Sequence, residues 1–218
     1  MVEALPSQTD TLQRQLGLLD GEETLLGSFL RAISHDLRSP LLTLSLSMEL
    51  LGDVLPTDER GQVARDAIAH GLRDMERMLD AVSGVSRARR RILSEDPMTL
   101  AQVAAGIDLG GDTTLADVTL ALDARAAVEA FRALGADVPV RLESHQDCVV
   151  ASAALPEVLA GIEGSCAAAL LGDLHTYAGT PAVALAAAEV MLARQGGMLR
   201  CEGAQVRMRL PVLGRSRE

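Results

Sequence analysis

The chain has 218 residues, of which 48% are hydrophobic, and a formal net charge of −10. So acidic a chain lacks the basic surface that general nucleic-acid binding needs, and its charge gives no reason to expect attachment to a membrane. It contains no run of about 18 apolar residues, so we expect no transmembrane helix and a cytoplasmic protein. The three cysteines, Cys148, Cys166 and Cys201, include no CxxC pair, and we interpret them as free thiols.

Residues 1–21 are polar, and we interpret them as an N-terminal lead-in. Residues 22–55 predict one long helix, because apolar residues recur at steps of three and four, as one helical face requires. Pro40 lies inside this pattern and predicts a kink, since proline removes one backbone hydrogen bond. The apolar face comprises Leu26, Phe29, Ile33, Leu37, Leu41, Leu44, Met48 and Leu51.

Residues 58–92 predict a second long helix, with Thr57 or Asp58 as its N-cap. Four arginines close to its end suit the negative end of a helix dipole, and the alternative is that they contact an acidic partner. A hairpin of two such helices leaves an apolar stripe too wide to bury alone. We therefore predict a homodimer in which two hairpins form a four-helix bundle. The apolar face of the second helix comprises Val63, Ala67, Gly71, Met75, Met78, Val82 and Val85.

Residues 93–98 predict a linker, after which alanine, glycine and valine become more frequent and strand-like alternation begins. The order of elements predicts an α+β protein, in which residues 22–92 form the helical hairpin and residues 99–213 form a small α/β sandwich. The predicted helices of this second part are Thr99–Ile107, Asp123–Leu134, Leu155–Leu171 and Pro181–Gln195. The predicted strands are Val138–Glu143, Asp147–Ala151, Met198–Cys201 and Ala204–Leu210.

A histidine and a carboxylate stand side by side in the first helix, as His35 and Asp36. Imidazole accepts a phosphoryl group well, because one ring nitrogen can attack while the other stays protonated and positioned. The neighbouring carboxylate can hold that second N–H and select the tautomer, which makes Asp36 the candidate base or orienting group. The other histidines show no metal-ligand spacing, so we predict no protein-bound metal.

The run His35, Asp36, Leu37, Arg38, Ser39, Pro40, Leu41 resembles the H box of bacterial sensor histidine kinases. That box reads histidine, acidic residue, aliphatic residue, basic residue, small polar residue, proline and leucine, and this chain matches every position. The resemblance implies that His35 is the phosphoacceptor and Asp36 its assisting carboxylate. Ser39 stands where kinases that also dephosphorylate their partners often keep a water-aligning threonine or asparagine. Arg31 and Arg38 are our candidates for contacts with a partner.

The second half resembles the ATP-binding domain of the same family in degenerate form. Residues 155–167 resemble the N-box helix, but Gly161 and Ser165 stand where the family uses asparagines to hold magnesium and phosphate. Residues 179–197 resemble the last glycine-rich box, yet Pro181, Ala182 and Ala184 replace glycines whose backbone N–H groups would bind phosphate. Only residues 172–178 join the two regions, which leaves no room for an adenine box and a lid. We therefore predict that ATP binding is lost and that no cofactor is bound.

The preferred interpretation is histidine phosphotransfer in a two-component phosphorelay, in the manner of histidine-kinase-like phosphotransferases that have lost ATP binding. His35 would exchange a phosphoryl group with the aspartate of a response-regulator receiver domain, which supplies the magnesium. An upstream histidine kinase is a further candidate partner. Two alternatives stay open: a pseudokinase adaptor that regulates a response regulator or a kinase, and a divergent ATP-dependent histidine kinase.

Overall fold

The structure is a computed structural model that describes residues 36–51, 58–93, 98–104, 118–121, 123, 128–129, 132, 139–145 and 147–213. The predicted lead-in at residues 1–21, the beginning and end of the first predicted helix, most of the linker and most of the predicted helix Asp123–Leu134 lie outside the described residues. Val128, Glu129 and Arg132, which belong to that last element, are helical.

Two helices make up the first part of the described chain, as the apolar periodicity predicts. Helix α1 covers the described residues 36–51 and continues through Pro40, and helix α2 spans Glu59–Arg90. The carboxylate of Asp58 caps α2 by accepting a hydrogen bond from the backbone N–H of Gly61 at 2.8 Å. Arg38 of α1 contacts Asp80 of α2, and because the two helices are joined near residue 55, this contact requires them to run antiparallel.

The second part contains two antiparallel sheets. Strands β1 (Met98–Thr99) and β2 (Thr119–Leu120) form the smaller one. The larger sheet has the strand order β3–β4–β6–β5, with every neighbouring pair antiparallel. Its strands are β3 (Arg141–Ser144), β4 (Cys148–Ala154), β5 (Met198–Glu202) and β6 (Gln205–Pro211). The β5–β6 hairpin turns at Gly203, whose φ of 59° suits a residue without a Cβ atom.

The helices of this part whose bounds lie within the described residues are α3 (Leu100–Ala104), α4 (Cys166–Gly172), α5 (Leu174–Tyr177) and α6 (Ala182–Ala193). Alternate residues of β6 point into the core that α6 covers, as the period of two in a half-buried strand requires. The largest side chains of this core have no more than 2% of their surface exposed; they are Leu100, Leu120, Leu159, Leu185, Leu192, Leu199, Met208 and Leu210. The predicted α+β class is confirmed.

The predicted helix Leu155–Leu171 is wrong as a single element. A 3₁₀ turn at Glu157–Leu159 comes first, and α4 begins only at Cys166. Between them Gly161 and Gly164 adopt φ values of 92° and 79°, which end one turn and redirect the chain. Gly164 then pairs with Cys201 of β5 through two backbone hydrogen bonds of 2.8 and 2.9 Å. The predicted helix Thr99–Ile107 also begins differently, since Met98–Thr99 is a strand.

Helix α2 packs against the second part of the chain along its C-terminal half. Ala81 and Val85 are buried in a cluster with Leu170 of α4 and Ala186 of α6. The predicted apolar face therefore divides in two. Val85 at its end is covered by this body, whereas Met75 keeps 40% of its surface exposed.

Candidate functional site

The predicted site residues occupy the beginning of the described part of α1. Asp36, Arg38 and Ser39 are helical and exposed, so a partner molecule can reach all three side chains. His35 and Arg31, the other two predicted site residues, lie outside the described residues. The next residue that the helix buries is Leu41, at 7% exposure.

Arg38 has an intramolecular partner in the structure. Its guanidinium Nη2 lies 2.6 Å from Oδ1 of Asp80 on α2, and both side chains are more than half exposed. An exposed ion pair of this kind contributes roughly 0–1 kcal/mol, so it is exchanged easily for another carboxylate. The contact therefore joins α1 to α2 close to the predicted phosphoacceptor, and Arg38 stays accessible to a partner protein.

Pro40 alters the hydrogen bonding of the helix next to Asp36. Proline has no backbone N–H, so the α-helical bond from residue 40 to the carbonyl of residue 36 cannot form. One turn later the hydroxyl of Thr43 donates to the carbonyl of Ser39 at 3.1 Å. The helix is thus weakened at the turn that carries Asp36, while its path continues.

A polar cluster around Asp74 lies on α2 and was not predicted from the sequence. Asp74 forms an ion pair with Arg77, and its Oδ2 lies 3.3 Å from Nε2 of His70 and 3.8 Å from Nε2 of His175 on α5. The hydrogen bond from Arg77 holds the pKa of Asp74 below its ordinary value of 3.8. The spacings 70–74 and 74–77 are visible along one helix, but the approach of His175 is tertiary. Among the residues that the structure describes, no group of three has the arrangement of a metal site.

A cleft of about 570 Å³ lies where α2 meets α6, lined in part by Arg87, Arg90 and Arg91. Arg91 is paired with Glu129 at 2.9 Å. Arg194 from the end of α6 donates to the carbonyls of Ala88 and Arg91 at 3.3 and 2.9 Å. The carbonyl end of α2 is therefore satisfied by a cation from the second part of the chain, in keeping with the helix dipole.

The first turn of α6 is the segment that resembles a phosphate-binding box. Its backbone donors are engaged locally, because Ala182 N–H donates to the hydroxyl of Thr180 and Val183 N–H donates to the carbonyl of Thr180, both at 3.2 Å. Pro181, the residue before Ala182, has no N–H. Gly179, at a φ of 80°, lies against α2 so closely that an added Cβ atom would be 3.0 Å from Cδ of Arg77.

The N-box-like segment ends in the first turn of α4, whose backbone donors are engaged in the same way. Ser165 caps the helix by accepting from Ala168 N–H at 3.0 Å. The carboxylate of Glu189, which reaches across from α6, accepts from Ala167 N–H at 2.9 Å. Ser165, predicted to replace a magnesium-binding asparagine, therefore serves as a helix cap.

Comparison with known proteins identifies the helical part. Residues 25–91 match the family "His Kinase A (phospho-acceptor) domain". No curated protein sequence matches the chain. Among solved structures, the Acinetobacter baumannii histidine kinase AdeS is 12% identical, with a TM-score of 0.40 over 84% of this chain and 98% of that one. A histidine kinase from Burkholderia phymatum STM815 is 17% identical, with a TM-score of 0.36 over 96% of this chain and 100% of that one.

The family match begins at residue 25, ten residues before His35, and ends at Arg91, the last of the four arginines near the end of the second helix. It contains every H-box residue from His35 to Leu41, together with both helices of the hairpin. None of the helices that the structure describes is long and apolar enough to cross a membrane. Residues 25–91 thus match a histidine kinase A phosphoacceptor domain, and this match supports a sensor histidine kinase-like protein of two-component signalling.

Proposed function

We propose that this protein is a histidine phosphotransferase of a two-component phosphorelay, in which His35 exchanges a phosphoryl group with receiver-domain aspartates without ATP. The observation that carries the proposal is the complete H box, whose described polar side chains stand exposed on α1 within a phosphoacceptor domain. The proposed transfer needs only a docked receiver that holds its aspartyl phosphate in line with the imidazole.

The chemistry assigns a role to each exposed group. A ring nitrogen of His35 attacks the phosphorus, and the bond from phosphorus to the receiver's carboxylate oxygen breaks, which returns that aspartate to its carboxylate form. Asp36 holds the other ring N–H and stabilises the charge that develops on the imidazole. Magnesium belongs to the receiver. Arg38 exchanges Asp80 for an acidic group of the partner, while Ser39 stands one turn away on the same accessible surface.

The engaged backbone donors of α6 support the ATP-independent part of the proposal. A nucleotide phosphate is usually held by free N–H groups at the beginning of a helix. Here the N–H groups of Ala182 and Val183 are bonded to Thr180, and the residue before them is Pro181, which has no N–H. Arg77 of α2 lies against Gly179 at the entrance to the same turn. A phosphate group would have to displace these contacts.

The packing between α4 and α6 supports it as well. Leu170 and Ala186 have no exposed surface, and Tyr177 of α5 is packed against the same cluster. The stretch between the two helices, residues 173–181, contains the short helix α5 rather than a lid. Apolar side chains thus pack α4 directly against α6, which supports the proposal that no nucleotide is held between these helices.

We also propose that the protein is a homodimer built on the hairpin, with a second, degenerate ATP-binding body at residues 99–213. Leucines of the predicted apolar face of α1 are exposed in the single chain: Leu37 at 47%, Leu44 at 51% and Leu51 at 46%. A stripe of this kind on two adjacent helices favours association with a second copy.

We expect the purified chain to be a dimer by light scattering at micromolar concentration. The variant Leu44→Asp should shift the population to monomer, because it places a charge in the apolar seam. Glu49→Gln, on the exposed polar side of the same helix, is the matched control and should stay dimeric. A wild-type chain that scatters as a monomer would remove the four-helix bundle from the proposal.

The proposed function is tested by offering two phosphoryl donors. With γ-labelled ATP and magnesium, we expect no acid-labile label on the chain. Receiver domains that have been phosphorylated with labelled acetyl phosphate should transfer their label to it. Label from ATP that disappears in the variant His35→Ala would instead identify a divergent ATP-dependent kinase. Binding of receivers without transfer, unaffected by His35→Ala, would identify an adaptor.

A further inference from the structure

Two of the three cysteines meet in the interior of the second body. Cys166 is the first residue of α4 and Cys201 lies in β5, and the Sγ atoms of the two are 2.7 Å apart. Both side chains have no exposed surface. A disulfide bond is about 2.05 Å long, so the two sulfur atoms need to approach by only about 0.7 Å to be joined. The third cysteine, Cys148, lies two strands away from β5, on β4.

We propose that Cys166 and Cys201 are a modification site, at which the two thiols are oxidised reversibly to an intramolecular disulfide. The oxidant is a small-molecule or protein disulfide, such as oxidised glutathione. One cysteine thiolate attacks the external disulfide and releases one thiol, and the second cysteine displaces the other. Two protein thiols and one external disulfide thus become one protein disulfide and two external thiols, which carry away both protons and both electrons.

Backbone hydrogen bonds hold together the two segments that carry the pair. Gly164, two residues before Cys166, is joined to Cys201 by hydrogen bonds in both directions, at 2.8 and 2.9 Å. Those bonds keep the start of α4 beside β5 whether or not the sulfur atoms are linked. Since β5 is the last strand of its sheet, this pairing and β6 are its backbone neighbours among the described residues.

Access to the pair requires the edge of the sheet to open. The hydrogen bond that Cys166 donates to Cys201, together with burial, raises the pKa of Cys166, while the same bond lowers the pKa of Cys201. Cys201 is therefore the better attacking thiolate, but its sulfur is buried in the closed protein. Both cysteines belong to the apolar core beside the sheet, so access requires at least that the two backbone hydrogen bonds between Gly164 and Cys201 break. We therefore expect slow oxidation of the native protein, faster in mild denaturant, and fast oxidation during refolding.

The new bond would close a loop between residues 35 positions apart. Closing such a loop restricts the unfolded chain, and we expect the oxidised protein to melt about 5–10 °C higher than the reduced one. The increase should be reversed by dithiothreitol. It should be absent in Cys166→Ala and in Cys201→Ala, and it should persist in Cys148→Ser, the matched control among the cysteines.

The test is to incubate the native chain, and separately to refold it, with oxidised glutathione, and then to quench with acid and alkylate in denaturant. Intact mass should show two of three thiols lost together, and the digest should contain the Cys166–Cys201 peptide pair. Cys148→Ser should behave like the wild type. Each alanine variant should form at most a mixed disulfide with glutathione at its remaining cysteine. Absence of that peptide pair after both treatments, or a disulfide that includes Cys148, would overturn the proposal.

Discussion

Replacement of His35 by glutamine is expected to abolish phosphoryl acceptance from a charged receiver domain, lowering the rate by at least about 10³-fold. Glutamine keeps a polar side chain of similar length but has no nucleophilic ring nitrogen. The measurement is the transfer of acid-labile label from the receiver to the chain under single-turnover conditions. His145→Gln, an exposed histidine next to the β3–β4 turn, is the matched control and should transfer at the wild-type rate.

Asp36→Asn separates the two roles within the same site. The carboxylate orients the imidazole but does not carry the phosphoryl group. This variant should therefore still be labelled, at a rate lower than that of the wild type by at least about 10²-fold. Label that survives in His35→Gln would contradict the assignment of the phosphoacceptor. Equal rates for Asp36→Asn and the wild type would remove Asp36 from the chemistry while leaving His35 in place.

Replacement of Leu170 by alanine is expected to lower the free energy of unfolding by about 2–5 kcal/mol. Leu170 has no exposed surface and lies in the cluster that joins α4 to α2 and α6, so truncation leaves a cavity there. Chemical denaturation monitored by circular dichroism measures the loss. Leu171→Ala provides a control one residue away, since that side chain is 52% exposed and should cost less than about 1 kcal/mol.

The same variant tests how α2 is held. Ala81 and Val85 share the Leu170 cluster, whereas the first half of α2 does not. Amide hydrogen exchange in Leu170→Ala should therefore become faster in the C-terminal half of α2 than in its N-terminal half. Uniform protection along α2, together with an unchanged unfolding energy, would show that the cluster contributes little to the junction.

The elements that the sequence predicted well are those with a strong local signal. Steps of three and four over more than 30 residues can be satisfied only by a helix, and Asp58 marks the beginning of α2 because its carboxylate caps free N–H groups. The β5–β6 hairpin follows from alternation on both sides of Gly203. The H box was recognised in the same way, since its chemistry is carried by adjacent residues.

The predicted helix Leu155–Leu171 is wrong because no local signal marks where it must stop. The apolar and alanine-rich run from Leu155 to Leu171 has helical composition, and its glycines alone do not say where a helix must stop. The pairing of Gly164 with Cys201 supplies that information. It holds Gly164 beside β5 in a non-helical conformation, so α4 begins only after Ser165, which is its N-cap. The competing partner lies 37 positions further along the chain, beyond any local window.

The amino-acid sequence by itself determined the helical hairpin, the α+β class and the H box around His35, because each rests on neighbours within a few residues or on one regular period. Only the tertiary structure decided which face of α2 is buried, how Arg194 satisfies the end of that helix, and that Cys166 meets Cys201. Those contacts join positions that lie from 35 to more than 100 residues apart. They depend on how the apolar surfaces of separate elements fit together, and a local sequence pattern does not encode that fit.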